Sequence, residues 1–119
     1  MRKFSKDDDF SFLRGCTFTQ ITINKWSIVL TFAEEIGIVS EHRMQYEQKV
    51  GANVFTYDID EGVGVIHFQD LLETKVEDVS WDEWAIRMTF QNGNVLSVFT
   101  SERPLEAGQI YRRKYYNVF

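Results

Sequence analysis

The chain states nearly the same pattern twice, 58 residues apart. Laid without a gap over 75–90, residues 17–32 match Phe18 to Val76, Ile21 to Val79, Ile23 to Trp81, Leu30 to Met88 and Phe32 to Phe90 as apolar positions. Trp26/Trp84, Ile28/Ile86, Thr31/Thr89 and Phe32/Phe90 are identical pairs. Stacked-repeat folds need about three or more units to bury a continuous core. Two copies therefore predict one duplicated domain, with half-repeats over 13–57 and 71–116 and an acidic connector, 58–70, joining them.

Within each copy the apolar alternation slips phase once. Ile21 and Ile23 are followed by Trp26, Ile28, Leu30 and Phe32; Val79 and Trp81 are followed by Trp84, Ile86, Met88 and Phe90. A two-residue hairpin loop at Asn24-Lys25, and another at Asp82-Glu83, would explain the slip, because cross-strand partners point to one face. This reading puts both Trp26 and Trp84 in the core. Phe18 and Val76 fall out of phase, which predicts a bulge at each strand start. Asn92-Gly93 predicts a tight turn into a strand over 95–100, whereas Ala33 to Gly37 reads as a longer or differently bent loop. Residues 40–50, opened by Ser40 and closed by Gly51, read as a short helix. Residues 53–57 and 63–68 read as strands around a turn at 58–62, Phe68 to Leu72 as a helical turn, and the tail from Gln109 as a strand. The fold class expected is α+β, mainly β: two antiparallel meanders sharing one core, with one short helix.

At 119 residues, 44% hydrophobic and 15% aromatic, the chain can build a core without staples. Its single cysteine, Cys16, excludes an internal disulfide. Three consecutive aspartates near the start argue against a signal peptide, and no stretch approaches the about 18 apolar residues of a membrane span. A cytoplasmic protein with no membrane partner is expected. Charge is uneven: 58–83 carries nine acidic residues against Lys75 alone, whereas 103–119 is net positive. Such a field governs association and partner choice.

Catalytic candidates are sparse. Cys16 with His42 or His67 could form a nucleophile–base pair, but a cysteine at a strand start reads better as a small buried side chain. Asp58-x-Asp60-Glu61-Gly62 resembles a calcium loop only in part, since its glycine comes one place early and Gln69 stands where the twelfth-position glutamate belongs. No cofactor or metal is expected. The tail segment Tyr111-Arg112-Arg113-Lys114-Tyr115-Tyr116 has cations and rings suited to nucleic acid. A pI near 5.0 and the acidic stretch argue against that partner.

Leu71-Leu72, Val76, an apolar residue at 84, Thr89-Phe90, Asn92-Gly93, Leu96 and Leu105-Glu106-Ala107 resemble a bacterial domain-of-unknown-function family of small acidic β-rich proteins. The chain departs from that pattern at Glu73, where the family has Gly, and at Gly108, where it has Trp. Some relatives are associated with polymorphic-toxin loci, so the resemblance implies an immunity protein. The leading expectation is thus a non-catalytic module that neutralises a cognate basic toxin through an acidic surface, with Asp58, Asp60, Glu61, Asp78, Asp82 and Glu83 as partner-binding candidates. Rival readings are a small-molecule-binding or enzymatic β-domain with Trp26 and Trp84 in a pocket, and a structural homo-oligomer, a homodimer among the options, that buries an exposed strand edge.

Overall fold

The apolar alternation becomes ten antiparallel strands in the computed structural model, which describes residues 4, 8–33, 35–100, 108–112 and 115–118. They are β1 (Phe18–Asn24), β2 (Ser27–Phe32), β3 (Ile36–Ser40), β4 (Arg43–Glu47), β5 (Val54–Asp58), β6 (Val76–Trp81), β7 (Ala85–Phe90), β8 (Val95–Phe99), β9 (Gly108–Arg112) and β10 (Tyr115–Val118). Two five-stranded sheets result, ordered β1-β2-β3-β9-β10 and β5-β4-β8-β7-β6. The Leu105-Glu106-Ala107 motif and Arg113-Lys114 lie outside the described residues.

The two copies are geometrically equivalent about one contact. Thr17 bridges Lys75, its own counterpart 58 residues on. Around them the backbone hydrogen bonds come in matched pairs: Gly15 N–H to Val76 C=O and Glu73 N–H to Phe18 C=O, both 2.7 Å, then Phe18 N–H to Thr74 C=O and Val76 N–H to Cys16 C=O, both 2.9 Å. The equivalence extends further upstream than the sequence comparison found. The 3-10 turns Ser11–Leu13 and Gln69–Leu71 correspond, and Phe10, Phe68, Leu13 and Leu71 are all fully buried. Both expected bulges are present, between Phe18 and Gln20 and between Val76 and Asp78. Phe18 packs on both halves, its ring 5.2 Å from Phe32 and 5.9 Å from Phe90.

Each meander is completed by the other half's hairpin. β4 follows β3 in sequence yet pairs with β8, and β9 follows β8 yet pairs with β3. Only Glu41-His42 separate β3 from β4. The step from Ser40 to Arg43 can span about 10 Å of extended chain, the spacing of two stacked sheets, so so short a link can change sheet.

Several sequence expectations are corrected here. The helix expected over 40–50 is strand β4, because Met44 and Tyr46 are fully buried while Arg43, Gln45 and Glu47 are not, a period of two. Helix-tolerant composition loses to a ladder that β5 and β8 satisfy from both sides. The only helical segments among the described residues are 3-10 turns. The expected strand over 63–68 belongs to neither sheet, and the expected turn before it is the 3-10 turn Ile59–Glu61. The tail holds two strands, β9 and β10, instead of one. The loop after β2 is not longer than its counterpart: Phe32 pairs with Ile36 across three residues, just as Phe90 N–H bonds Asn94 C=O across three. Glu35 (φ 63°) stands where the second loop has Gly93 (φ 86°), so the Asn-Gly turn has one left-handed residue, not two.

Glu73 occupies a backbone position that favours glycine. Glu73 adopts φ 68°, and its counterpart Gly15 adopts φ 85°. A side chain in this region costs on the order of 1 kcal/mol. Glu73→Gly should raise the urea midpoint by a fraction of that amount, offset by glycine's added unfolded-state entropy. Gly15→Ala, whose new Cβ would meet no atom within 4 Å, should lower it through φ alone. Equal midpoints for both variants and the parent protein would remove the strain argument.

Candidate functional site

The hairpin loops sit one residue later than the phase slip indicated. Ile23 pairs with Ile28 and Asn24 with Ser27, so the first loop is Lys25-Trp26. Trp81 pairs with Ile86 and Asp82 N–H bonds Ala85 C=O, so the second is Glu83-Trp84. Asn24 Nδ2 donates to Ser27 Oγ at 3.1 Å and closes the first loop. Trp26 is therefore no core residue: 55% of it is exposed, beside Ile23 at 51%. Trp84, at the same place in the other hairpin, is half-buried. Sequence reasoning lost Trp26 because identity to Trp84 looked like shared packing, when it reflects a shared place at a loop.

The six acidic candidates fall into two groups. Asp58, ending β5, accepts Arg43 Nε at 2.8 Å. Asp60 Oδ2 lies 2.9 Å from His42 Nδ1, both largely buried, and the His42 carbonyl accepts the Ile59 and Asp60 N–H groups. These bonds and the buried Ile59 fix the turn that presents Glu61, which is exposed. On the opposite edge, Asp82 Oδ1 accepts the Trp84 and Ala85 N–H groups at 2.8 and 2.9 Å, and its Oδ2 accepts Arg87 Nη1 at 2.9 Å. Partial burial pushes its carboxyl pKa up, but those three donors outweigh it and hold the carboxyl below the ordinary value. Glu83 offers its carbonyl to Phe4 N–H at 2.9 Å. Asp78, mid-strand on β6, pairs with Arg14 at 2.7 Å in solvent.

Strand register shows what is brought together. Asp58 pairs with Arg43, Arg43 with Phe99, and Phe99 with Ala85, whose carbonyl accepts Asp82 N–H. Asp58, Asp60 and Glu61 therefore share one end of the sheet with Asp82 and Glu83, on edges four strand spacings or about 19 Å apart. Asp78 lies away from that end.

At the Asp58 edge the chain folds back on the β1–β2 tip. Val63 N–H bonds the Lys25 carbonyl at 2.8 Å, and Gly62 (φ 101°) comes so close to Trp26 that a Cβ there would lie 3.5 Å from the indole. Lys25 Nζ lies 5.1 Å from the Trp26 ring centroid. Residues 56–59 and 61–65 also line an open cleft of about 330 Å³, with Asp58, Glu61, Gly62, Val63 and Val65 among its walls.

The remaining chemical candidates have structural partners. Cys16 Sγ–H donates to the Phe12 carbonyl at 3.2 Å. His67 stacks on Phe55 with centroids 4.0 Å apart, and its Nδ1 is 3.0 Å from Tyr57 Oη. Neither His42 nor His67 is bonded to Cys16. Among the described residues no three His, Cys, Asp or Glu side chains gather as a metal site, and no helix is long and apolar enough to cross a membrane.

The fold and this surface define a two-sheet antiparallel β protein with an exposed tryptophan at one hairpin tip and carboxylates along one sheet end. Comparison with protein-family models, curated proteins and solved structures found no match.

Proposed function

We propose that the chain is a non-catalytic binding protein that neutralises a basic protein, on the pattern of an immunity protein and its toxin. The observation carrying this reading is the sheet end that has Asp58, Asp60 and Glu61 at one edge and Asp82 and Glu83 at the other, with the exposed Trp26 beside the first group. Carboxylates over such a span steer a cationic partner, and a tryptophan at their margin supplies the desolvated anchor that most interfaces need. Arg43 and Arg87 hold Asp58 and Asp82 in place, which orients them at the expense of part of their charge.

The test is a growth assay in which the adjacent open reading frame is induced with and without this chain. Rescue supports the reading; inhibition that persists, or no inhibition to relieve, sinks it. With a binding partner in hand, the double reversal Glu61→Lys/Glu83→Lys should slow association roughly tenfold at low salt and flatten its salt dependence. An unchanged on-rate would move the interface to another face.

A further inference from the structure

The two hairpin tips are equivalent in backbone but not in how they are covered. At the β6–β7 tip, Phe4 N–H bonds the Glu83 carbonyl at 2.9 Å. The Phe4 ring is buried edge-on to Phe10, with centroids 5.2 Å apart, and Phe10 in turn packs edge-on to Trp81 at 5.5 Å. At the β1–β2 tip the matching hydrogen bond runs from Val63 N–H to the Lys25 carbonyl, so Val63 stands in Phe4's place. The repeat also puts Ile23 where the second half has Trp81, and Phe68 where it has Phe10. Two of the side chains that fill the second tip are thus replaced by smaller ones at the first. Ile23 and Trp26 are left more than half exposed, Val65 is 79% exposed, and the segment that carries Val63 lines the adjoining cleft of about 330 Å³.

We infer that this under-filled tip is a socket for an aromatic side chain of the partner protein, entering where Phe4 caps the other half. The inference rests on the binding reading above for the partner's basic character and adds what is recognised. Glu61 lines the cleft, is exposed, and makes no ion pair among the described residues, whereas Asp58 and Asp60 are engaged by Arg43 and His42. An aromatic residue flanked by Lys or Arg therefore suits the socket: the ring packs on Trp26, Ile23 and Val63 while a cation meets Glu61. Lys25 already holds its ammonium over the Trp26 ring, which shows that the indole accepts a cation there.

The test needs no toxin. The peptides acetyl-Arg-Phe-Lys-amide, acetyl-Arg-Ala-Lys-amide and acetyl-Gly-Phe-Gly-amide are titrated against the ¹⁵N-labelled protein, and the Trp26 indole N–H resonance, assigned by its loss in Trp26→Phe, is followed. The cationic Phe peptide should move it saturably, the Ala peptide should not, and the neutral Phe peptide should bind more weakly. Val63→Phe, which supplies the missing ring in cis, should weaken the cationic Phe peptide by about tenfold or more, the scale of a lost anchor. Trp26→Ala, read on the Ile23 and Val63 amides, should do the same should Val63→Phe fail to fold. An unmoved resonance, equal responses to the Phe and Ala peptides, or unweakened binding by the folded variants would overturn the socket. Rescue in the growth assay would still leave the broader binding reading standing.

Discussion

Phe18→Ala should destabilise the protein by about 3–5 kcal/mol, the range for emptying a buried aromatic site. Phe18 is fully buried at the junction where the copies meet and touches Phe32 in one half and Phe90 in the other. Its backbone N–H and C=O both belong to the junction hydrogen bonds. The cavity therefore opens between the two halves, where neither sheet can close it without shifting against the other. Urea unfolding followed by Trp fluorescence should show one transition at a lower midpoint. A loss below about 1.5 kcal/mol, within the cost of a well-tolerated apolar swap, would mean that the junction repacks and is not a keystone of the fold.

Tyr46→Phe should cost about 1–3 kcal/mol, the penalty for stranding buried polar groups, and should also change the alkaline limb of stability. Tyr46 is fully buried; its hydroxyl donates to Asp70 Oδ1 at 2.8 Å and accepts from Asn94 Nδ2 at 2.7 Å, and Asn94 Oδ1 accepts Lys49 N–H at 2.9 Å. One phenol thus ties β4 to the loop before β8 and to the turn before β6. Burial first, then the Asp70 hydrogen bond, push its pKa from 10.0 to about 12. A raised pKa means the native state favours the protonated phenol, so this contribution is fully present below pH 10 and is lost as pH rises through about 12. Tyr57, raised mainly by burial, adds to the same limb. Stability measured from pH 9 to 12 should fall more steeply in the parent protein than in Tyr46→Phe. Parallel profiles would show that Tyr46 does not set that limb.

Much of the fold was legible because strand patterning is local. A side-chain period of two marks β1, β2, β6 and β7 directly, the Asn92-Gly93 turn marks β8, and the out-of-phase Phe18 and Val76 mark the bulges. β4 was missed because Ser40 and Gly51 imitate helix ends while Met44 and Tyr46, two apart, make too short a run to reveal alternation. At the candidate site the carboxylates were legible as charge, but their engagement by Arg43, His42, Arg14 and Arg87 was not. Those partners stand 15, 18, 64 and 5 residues away in sequence. The error over Trp26 came from a loop displaced by one residue, and such a step exchanges a core position for a tip.

The duplicated alternation by itself determined that the chain would form two equivalent antiparallel meanders with one apolar face each, because successive Cβ atoms point to opposite sides of any strand. Tertiary structure decided which sheet each later hairpin joins, since β4 and β9 find their ladders in the opposite half, and β4 does so across a link of two residues, too short to announce the crossing. It also decided which tryptophan is left in solvent. Phe4 caps one tip and Val63 the other, and coverage by a segment remote in sequence is a property of packing that no local pattern encodes.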